Sequence, residues 1–234
     1  MSAPALRLLT VVGTRPDLVK LAPVMPLFDR DPAIEQRLLH TGQHYSYEMD
    51  AVFFADLELR PPDVLLHVGS GSHAGQTAAI MTGVEAELRA APRDAVLVLG
   101  DTNTTLGAAL AAAKLGVPVI HAEAGCRSHV RTMPEEINRV LVDHCAALLL
   151  APSVDAAANL RREGIADDAV VVVGSTSIDA ARHFITRARS RPIVGEVCAA
   201  LGVATPAQLA LCTVHRAENT AADVLPDLLR GLAK

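Results

Sequence analysis

Aromatic side chains are nearly missing from this chain, which has no Trp, 2 Tyr and 4 Phe among 234 residues. A ladder of rings for stacking bases therefore has no material. A net charge of −5 and an isoelectric point near 6.0 offer no broad positive field for a phosphate backbone, so nucleic-acid recognition is excluded. Cysteine is scarce too. Cys126, Cys145, Cys198 and Cys212 are widely spaced with no C-x-x-C, and read as small apolar residues with reduced thiols rather than as a disulfide framework. No hydrophobic run reaches membrane length although 50% of the residues are apolar, so a spanning helix and a membrane partner are not expected. The first residues lack a basic n-region and a cleavage site, because Met1 to Val12 reads directly into a strand. The expected location is the cytoplasm.

What the chain has in abundance is Ala, Val and Leu, which suits helices packed on a buried parallel sheet. Apolar runs of strand length alternate with helical patterns at Arg7 to Val12, Glu35 to His40, Val64 to His67, Ala95 to Leu99, Val117 to His121, Ala147 to Ala151 and Val170 to Val173. This pattern predicts an α/β fold, a doubly wound parallel sheet with Rossmann-like connections. Pro16 fits a first helical turn, Ser153 and Asp155 the start of a helix running to Glu163, and Gly164 its end. A helix is predicted from Thr176 to Pro192, where Arg182, Arg187, Arg189 and Arg191 make a basic, solvated end. A short helix near Val194 to Leu201, a strand at Leu209 to Val214 and a helix from about Ala221 follow. One such βα unit is not a domain, since it leaves open sheet edges and an uncovered face.

Three carboxylates stand out by position. Asp101 and Glu123 each follow an apolar strand, so successive strand ends would deliver acids to one crevice. Glu135 follows Pro134 in a first helical turn. Each has a plainer role as well: Asp101 as N-cap of a helix from Thr102 to Lys114, Glu123 as an ion-pair partner of Arg127 or His121, and Glu135 as a helix-dipole stabiliser. Together, carboxylates in a dry crevice push their pKa values apart and make an acid and a base. Val11-Val12-Gly13-Thr14-Arg15-Pro16 is a strand, turn and helix start whose free amides can hold an anion, with Arg15 and Lys20 adding positive charge. His215 follows the predicted strand at Leu209 to Val214 and precedes a helix.

Other patterns carry less. Gly69, Gly71 and Gly75 have G-x-G-x-x-x-G spacing outside the first βα turn, which does not make a dinucleotide fingerprint. His40 with His44, and Cys126 with His129, lack further ligands, so no metal is expected. Cys126 has no positioned base and reads as packing.

The blocks Val11 to Pro16, Thr41-Gly42-Gln43-His44-Tyr45, Gly100-Asp101-Thr102-Asn103-Thr104-Thr105, Glu123-Ala124-Gly125, Pro134-Glu135-Glu136-Ile137-Asn138-Arg139 and His215-Arg216-Ala217-Glu218-Asn219 resemble the non-hydrolysing UDP-N-acetylglucosamine 2-epimerases. Departures are Ala122, Cys126 and the loop Arg127 to Arg131. The resemblance implies a glycosyltransferase-B architecture, with residues 1–174 as the first Rossmann-like domain. Residues 175–234 would be a connecting helix and the truncated start of a second. It implies conversion of UDP-GlcNAc to UDP-ManNAc for cell-surface polysaccharide, by elimination and re-addition of UDP, with no cofactor. It carries over Asp101, Glu123, Glu135 and His215 as catalytic, and Arg15, Lys20, Gln43, His44, Arg139 and Asn219 as substrate-binding. The C-terminal half would carry a Gly/Ser-rich diphosphate grip, the uracil pocket and a final helix that packs back on the first domain. The expected partners are a UDP-sugar and either a second copy of the chain or a separate C-terminal half. The alternatives are an inactive nucleotide-sugar binding module or one half of a split enzyme, with a glycosyltransferase-B half weaker, since three clustered acids are foreign to it.

Overall fold

The computed structural model describes residues 4–42, 53–204, 209–210, 212–214 and 217–232. The chain divides into two compact units, Met1–Phe184 and Ile185–Lys234. In the first, the strands are β1 (Leu6–Val12), β2 (Ile34–His40), β3 (Val64–Leu65), β4 (Ala95–Leu99), β5 (Val119–Ala122), β6 (Leu148–Ala151) and β7 (Val170–Val172). All pair in parallel, in one 7-stranded sheet ordered β3-β2-β1-β4-β5-β6-β7. The sequence pattern located all seven to within two residues at each end.

Between them lie α1 (Arg15–Leu21), α2 (Met25–Arg30), α3 (His73–Ala90), α4 (Asn103–Lys114), α5 (Pro134–Cys145) and α6 (Val154–Arg162), and α7 (Thr176–Ser190) follows β7 and continues past Phe184. Strand residues alternate between two cores, as the pleat requires. Leu9, Val11, Val96, Val98 and Val119 pack with Ile80, Val84 and Leu88 of α3, Ala108 and Ala112 of α4 and Val142 of α5. Leu8, Val12, Leu97 and Leu99 face Leu18, Leu21, Ala22 and Met25 on the other side. Both faces of β4 are buried, which is why Ala95 to Leu99 is apolar throughout. Over β5 and β6, on the face that carries α1, lies a cavity of about 330 Å³ lined by Leu8, Phe28, Ile120, Leu148, Leu150 and Glu123 among others.

Capping residues act where the sequence put them. Ser153 Oγ accepts from the Ala156 amide at the start of α6, and Gly164 takes a left-handed φ of 86° just past its end. One cap differs. The N-cap of α4 is Thr102, whose Oγ1 accepts from the Thr105 amide, and not Asp101. The helix starts one residue later than expected, which frees the Asp101 side chain.

The second unit contains α8 (Ile193–Leu201), α9 (Ala217–Thr220) and α10 (Leu225–Leu232). The strand expected at Leu209 to Val214 does not form among the described residues of that stretch. An extended segment without a neighbouring strand has no ladder to bond to.

Close packing of α3 on α4 depends on small residues. A Cβ on Gly107 would sit 2.8 Å from Ile80 Cγ2 and 3.1 Å from the Thr77 carbonyl oxygen. Gly107→Val is expected to destabilise the chain by about 1–3 kcal/mol through overpacking. Urea denaturation reads this directly, and an unchanged midpoint would contradict the packing.

Candidate active site

The strand order reverses at β1, so the turns after β1 and β4 lie side by side at the C-terminal edge of the sheet. Gly13 makes the close approach possible, because a Cβ there would fall 2.0 Å from Thr104 Oγ1 and 2.5 Å from Thr41 Oγ1. Those two hydroxyls hydrogen-bond each other at 3.0 Å. The amides expected to be free for an anion are occupied. Asp17, in the first turn of α1, accepts from the Gly13 and Thr14 amides at 3.1 and 3.0 Å. Burial pushes the Asp17 carboxyl up, against the pull of those two amides. The sequence reading missed this because it treated the turn as open rather than as capped by its own third helical residue.

Glu123, directly after β5, has a left-handed φ of 65°, a backbone state that costs energy for any side-chain-bearing residue and concentrates at working sites. Its carboxylate accepts from Lys20 Nζ at 2.6 Å and from Ser177 Oγ at 3.3 Å. The partner is thus Lys20 of α1, in place of the expected Arg127 or His121. The Glu123 carboxylate also lies against the turn that carries Asp101, since a Cβ on Gly100 would be 3.8 Å from its Oε2. Lys20, expected to face a diphosphate, already stands in this crevice as a counter-ion.

Asp101 pairs with the Arg139 guanidinium of α5, and its carbonyl accepts from Asn138 Nδ2 at 2.8 Å. Arg139 bridges on to Glu136 at 2.9 Å. Burial would lower the Arg139 pKa, but Asp101 and Glu136 outweigh it and raise it. Of the two adjacent acids, Glu135 is exposed and its carboxylate has no hydrogen-bond or ion-pair partner among the described residues. Glu136 is only 2% exposed. Glu136 accepts from the Ser128 and His129 amides, each at 2.9 Å. Burial favours its neutral form, yet the Ser128 amide, Arg139 and the His129 amide hold its pKa down to about 2. The missed signal was helical phase: Glu136, Arg139 and Asp143 recur at i, i+3 and i+7 along one face of α5.

That face leads to a buried network. Asp143 and His121 are both fully buried, joined by Asp143 Oδ1 and His121 Nδ1 at 2.6 Å. Asp143 Oδ2 takes the Gly125 amide at 3.1 Å and Arg127 at 2.7 Å, and Arg127 pairs with Glu163 at 2.6 Å. Burial raises the Asp143 pKa, but His121 and then Arg127 bring it below the ordinary value. The Arg127 guanidinium is held more basic than usual by Glu163 and Asp143.

Of the remaining expected residues, Arg15 stacks over the Phe53 ring at 5.3 Å, and Asn219 lies in α9 of the second unit. Gln43, His44 and His215 lie outside the described residues. Among the described residues, no three His, Cys, Asp or Glu side chains are grouped to hold a metal ion.

A parallel Rossmann-like sheet with paired acids and cations at its switch point defines an α/β domain with a candidate ligand crevice at that edge. The family comparison makes the assignment particular. The model of the UDP-N-acetylglucosamine 2-epimerase family matches residues 27–234, and the chain belongs to that family. A UDP-N-acetylglucosamine 2-epimerase of Methanococcus maripaludis is 44% identical over 211 residues, 90% of this chain and 56% of that protein. The crystal structure of the Methanocaldococcus jannaschii UDP-GlcNAc 2-epimerase in complex with UDP-GlcNAc and UDP superposes with a TM-score of 0.87 at 39% identity, over 97% of this chain and 62% of that one. The Neisseria meningitidis enzyme bound to UDP-GlcNAc gives 0.85 at 31% identity, over 97% and 63%. The chain therefore spans little more than half the length of these relatives.

The depressed Glu136 pKa predicts an acid sensitivity with a fixed sign. Folding favours the ionised form, so the stability it brings is complete above about pH 4.5, its ordinary pKa, and is lost as pH falls toward about 2. Glu136→Gln should cost roughly 1–3 kcal/mol at pH 7 and flatten the decline below pH 4.5. Urea titrations of both chains across pH 2–7 check this, and parallel curves would refute the assignment.

Proposed function

We propose that this chain carries the acid-base half of a UDP-N-acetylglucosamine 2-epimerase, acting on UDP-GlcNAc and UDP-ManNAc. The observation that carries the reading is the Lys20–Glu123 ion pair lying against the Gly100–Asp101 turn, with Arg139 on Asp101. One of the two acids takes the C2 proton, the C1–O bond to the diphosphate breaks, and UDP leaves an unsaturated sugar. UDP then re-adds at C1 while the other acid, entering the reaction protonated, gives its proton to the opposite face of C2, and the two acids return to their starting states by exchange with solvent. Lys20 and Arg139 hold the two acids in place by ion pairs until substrate arrives, and Lys20 and Arg15 offset charge on the departing diphosphate. Glu135, exposed at the start of α5, is available to contact the sugar, and Arg139 orients Asp101 toward it. His215, Gln43, His44 and Asn219 complete the proposed substrate contacts.

In this reading residues 1–174 form the first Rossmann-like domain, and residues 175–234 the connecting helix and start of the second. The partner is a second copy or a separate C-terminal half, and the site is cytoplasmic. The product would serve cell-surface polysaccharide.

Proton NMR of the chain with UDP-GlcNAc in D2O tests the proposal. Loss of the C2 proton signal with appearance of UDP-ManNAc is expected. Asp101→Asn and Glu123→Gln should each reduce exchange by about 10²- to 10⁴-fold while leaving the far-ultraviolet dichroism unchanged. Exchange only after a C-terminal half is supplied would favour the split enzyme, and binding of UDP-GlcNAc without exchange in either case would favour the binding module. Full activity in both variants would overturn the catalytic assignment.

A further inference from the structure

His121 takes no part in the proposed chemistry, yet both its ring nitrogens are committed in a site closed to water. Nδ1 faces Asp143 Oδ1 at 2.6 Å, and Nε2 faces the Gly100 carbonyl oxygen at 2.9 Å. Both partners are acceptors, so both ring nitrogens must carry protons. A neutral ring would set a bare nitrogen lone pair against a carboxylate or a carbonyl, with no water to relieve it. The cationic ring is balanced locally: His121 and Arg127 face Asp143 and Glu163, two positive groups against two negative ones.

The anchor points of this network give it a purpose. Gly100 immediately precedes Asp101 and turns the chain with a left-handed φ of 75°. Its amide already donates to the Ala122 carbonyl at 3.1 Å, and His121 binds its carbonyl from the same strand end. On the far side, Asp143 takes the amide of Gly125, two residues beyond Glu123. Gly125 has no room to shift, because a Cβ there would lie 2.2 Å from the Ala156 carbonyl oxygen. A single carboxylate on α5 thus ties together the turn holding Asp101 and the turn holding Glu123.

We propose that His121 and Asp143 form a buried imidazolium–carboxylate clamp that acts as the positioning device of the acid pair, setting Asp101 and Glu123 at a working separation. The clamp's purpose rests on the epimerase reading; its existence does not. Proton transfer tolerates little misplacement, so loosening two acid-bearing turns should lower turnover more than binding.

Three readouts decide it. In the wild-type chain labelled with ¹⁵N-histidine at neutral pH, the His121 ring should show two slowly exchanging N–H protons, and a single ring N–H would overturn the clamp. In Asp143→Asn, amide exchange at Gly100, Asp101, Glu123 and Gly125 should accelerate at least about tenfold while α3 and α4 stay protected. Unchanged exchange would overturn it too. With UDP-GlcNAc, Asp143→Asn and His121→Gln should lower kcat on the order of 10- to 100-fold with little change in KM. Wild-type kcat in folded variants would remove the positioning role. Absence of turnover in the wild-type chain, with and without a C-terminal half, would count against the epimerase reading alone, since the first two readouts use no sugar, and the first uses no variant.

Discussion

The reversal of strand order at β1 is the constraint on which the rest of the molecule depends. From β1 the chain builds outward through β2 and β3, then returns to β1's other edge as β4 and continues to β7. Right-handed crossovers then place α1 and α2 on one face and α3 to α6 on the other. The turns after β1 and β4 therefore meet at the C-terminal edge of the sheet. Several features follow from that meeting: a Gly13 without space for a side chain, the Thr41–Thr104 hydroxyl pair, and a lysine from α1 reaching the glutamate beyond β5.

Charge at this edge sorts itself by depth. Asp143 is fully buried and Glu136 nearly so; Asp143 is saturated by His121, the Gly125 amide and Arg127, and Glu136 by two amides and Arg139. These acids hold loops in place. Asp101 and Glu123 keep side-chain exposures of 29% and 16%, and each has one strong cationic partner and capacity left to accept another bond. That difference separates the groups able to meet a ligand from the groups that set their geometry. A buried carboxylate without its cation is expensive, whereas a half-exposed one can exchange its partner for substrate at modest cost.

Much of the fold was legible because parallel strands buried on both faces leave continuous apolar runs, and Ala95 to Leu99 or Leu148 to Ala151 have little else they can be. The strand ends carrying Asp101 and Glu123 were legible for the same reason. Glu136 and Asp143 were not read as site residues, because a buried acid on a helix looks like any polar position until the neighbouring amides and guanidinium are in place. Asp17 escaped for a similar reason: the turn it fills looks like an anion site in sequence.

By itself, then, the sequence determined the α/β order, the seven strands, the family and the strand ends at which acids would stand, since these depend on local periodicity and short blocks of residues. Only the tertiary structure decided which cation answers which acid. Lys20 lies 103 residues from Glu123 and Asp101 lies 38 from Arg139. Such pairings depend on crossovers and on the exclusion of water, neither of which leaves a local mark in the chain.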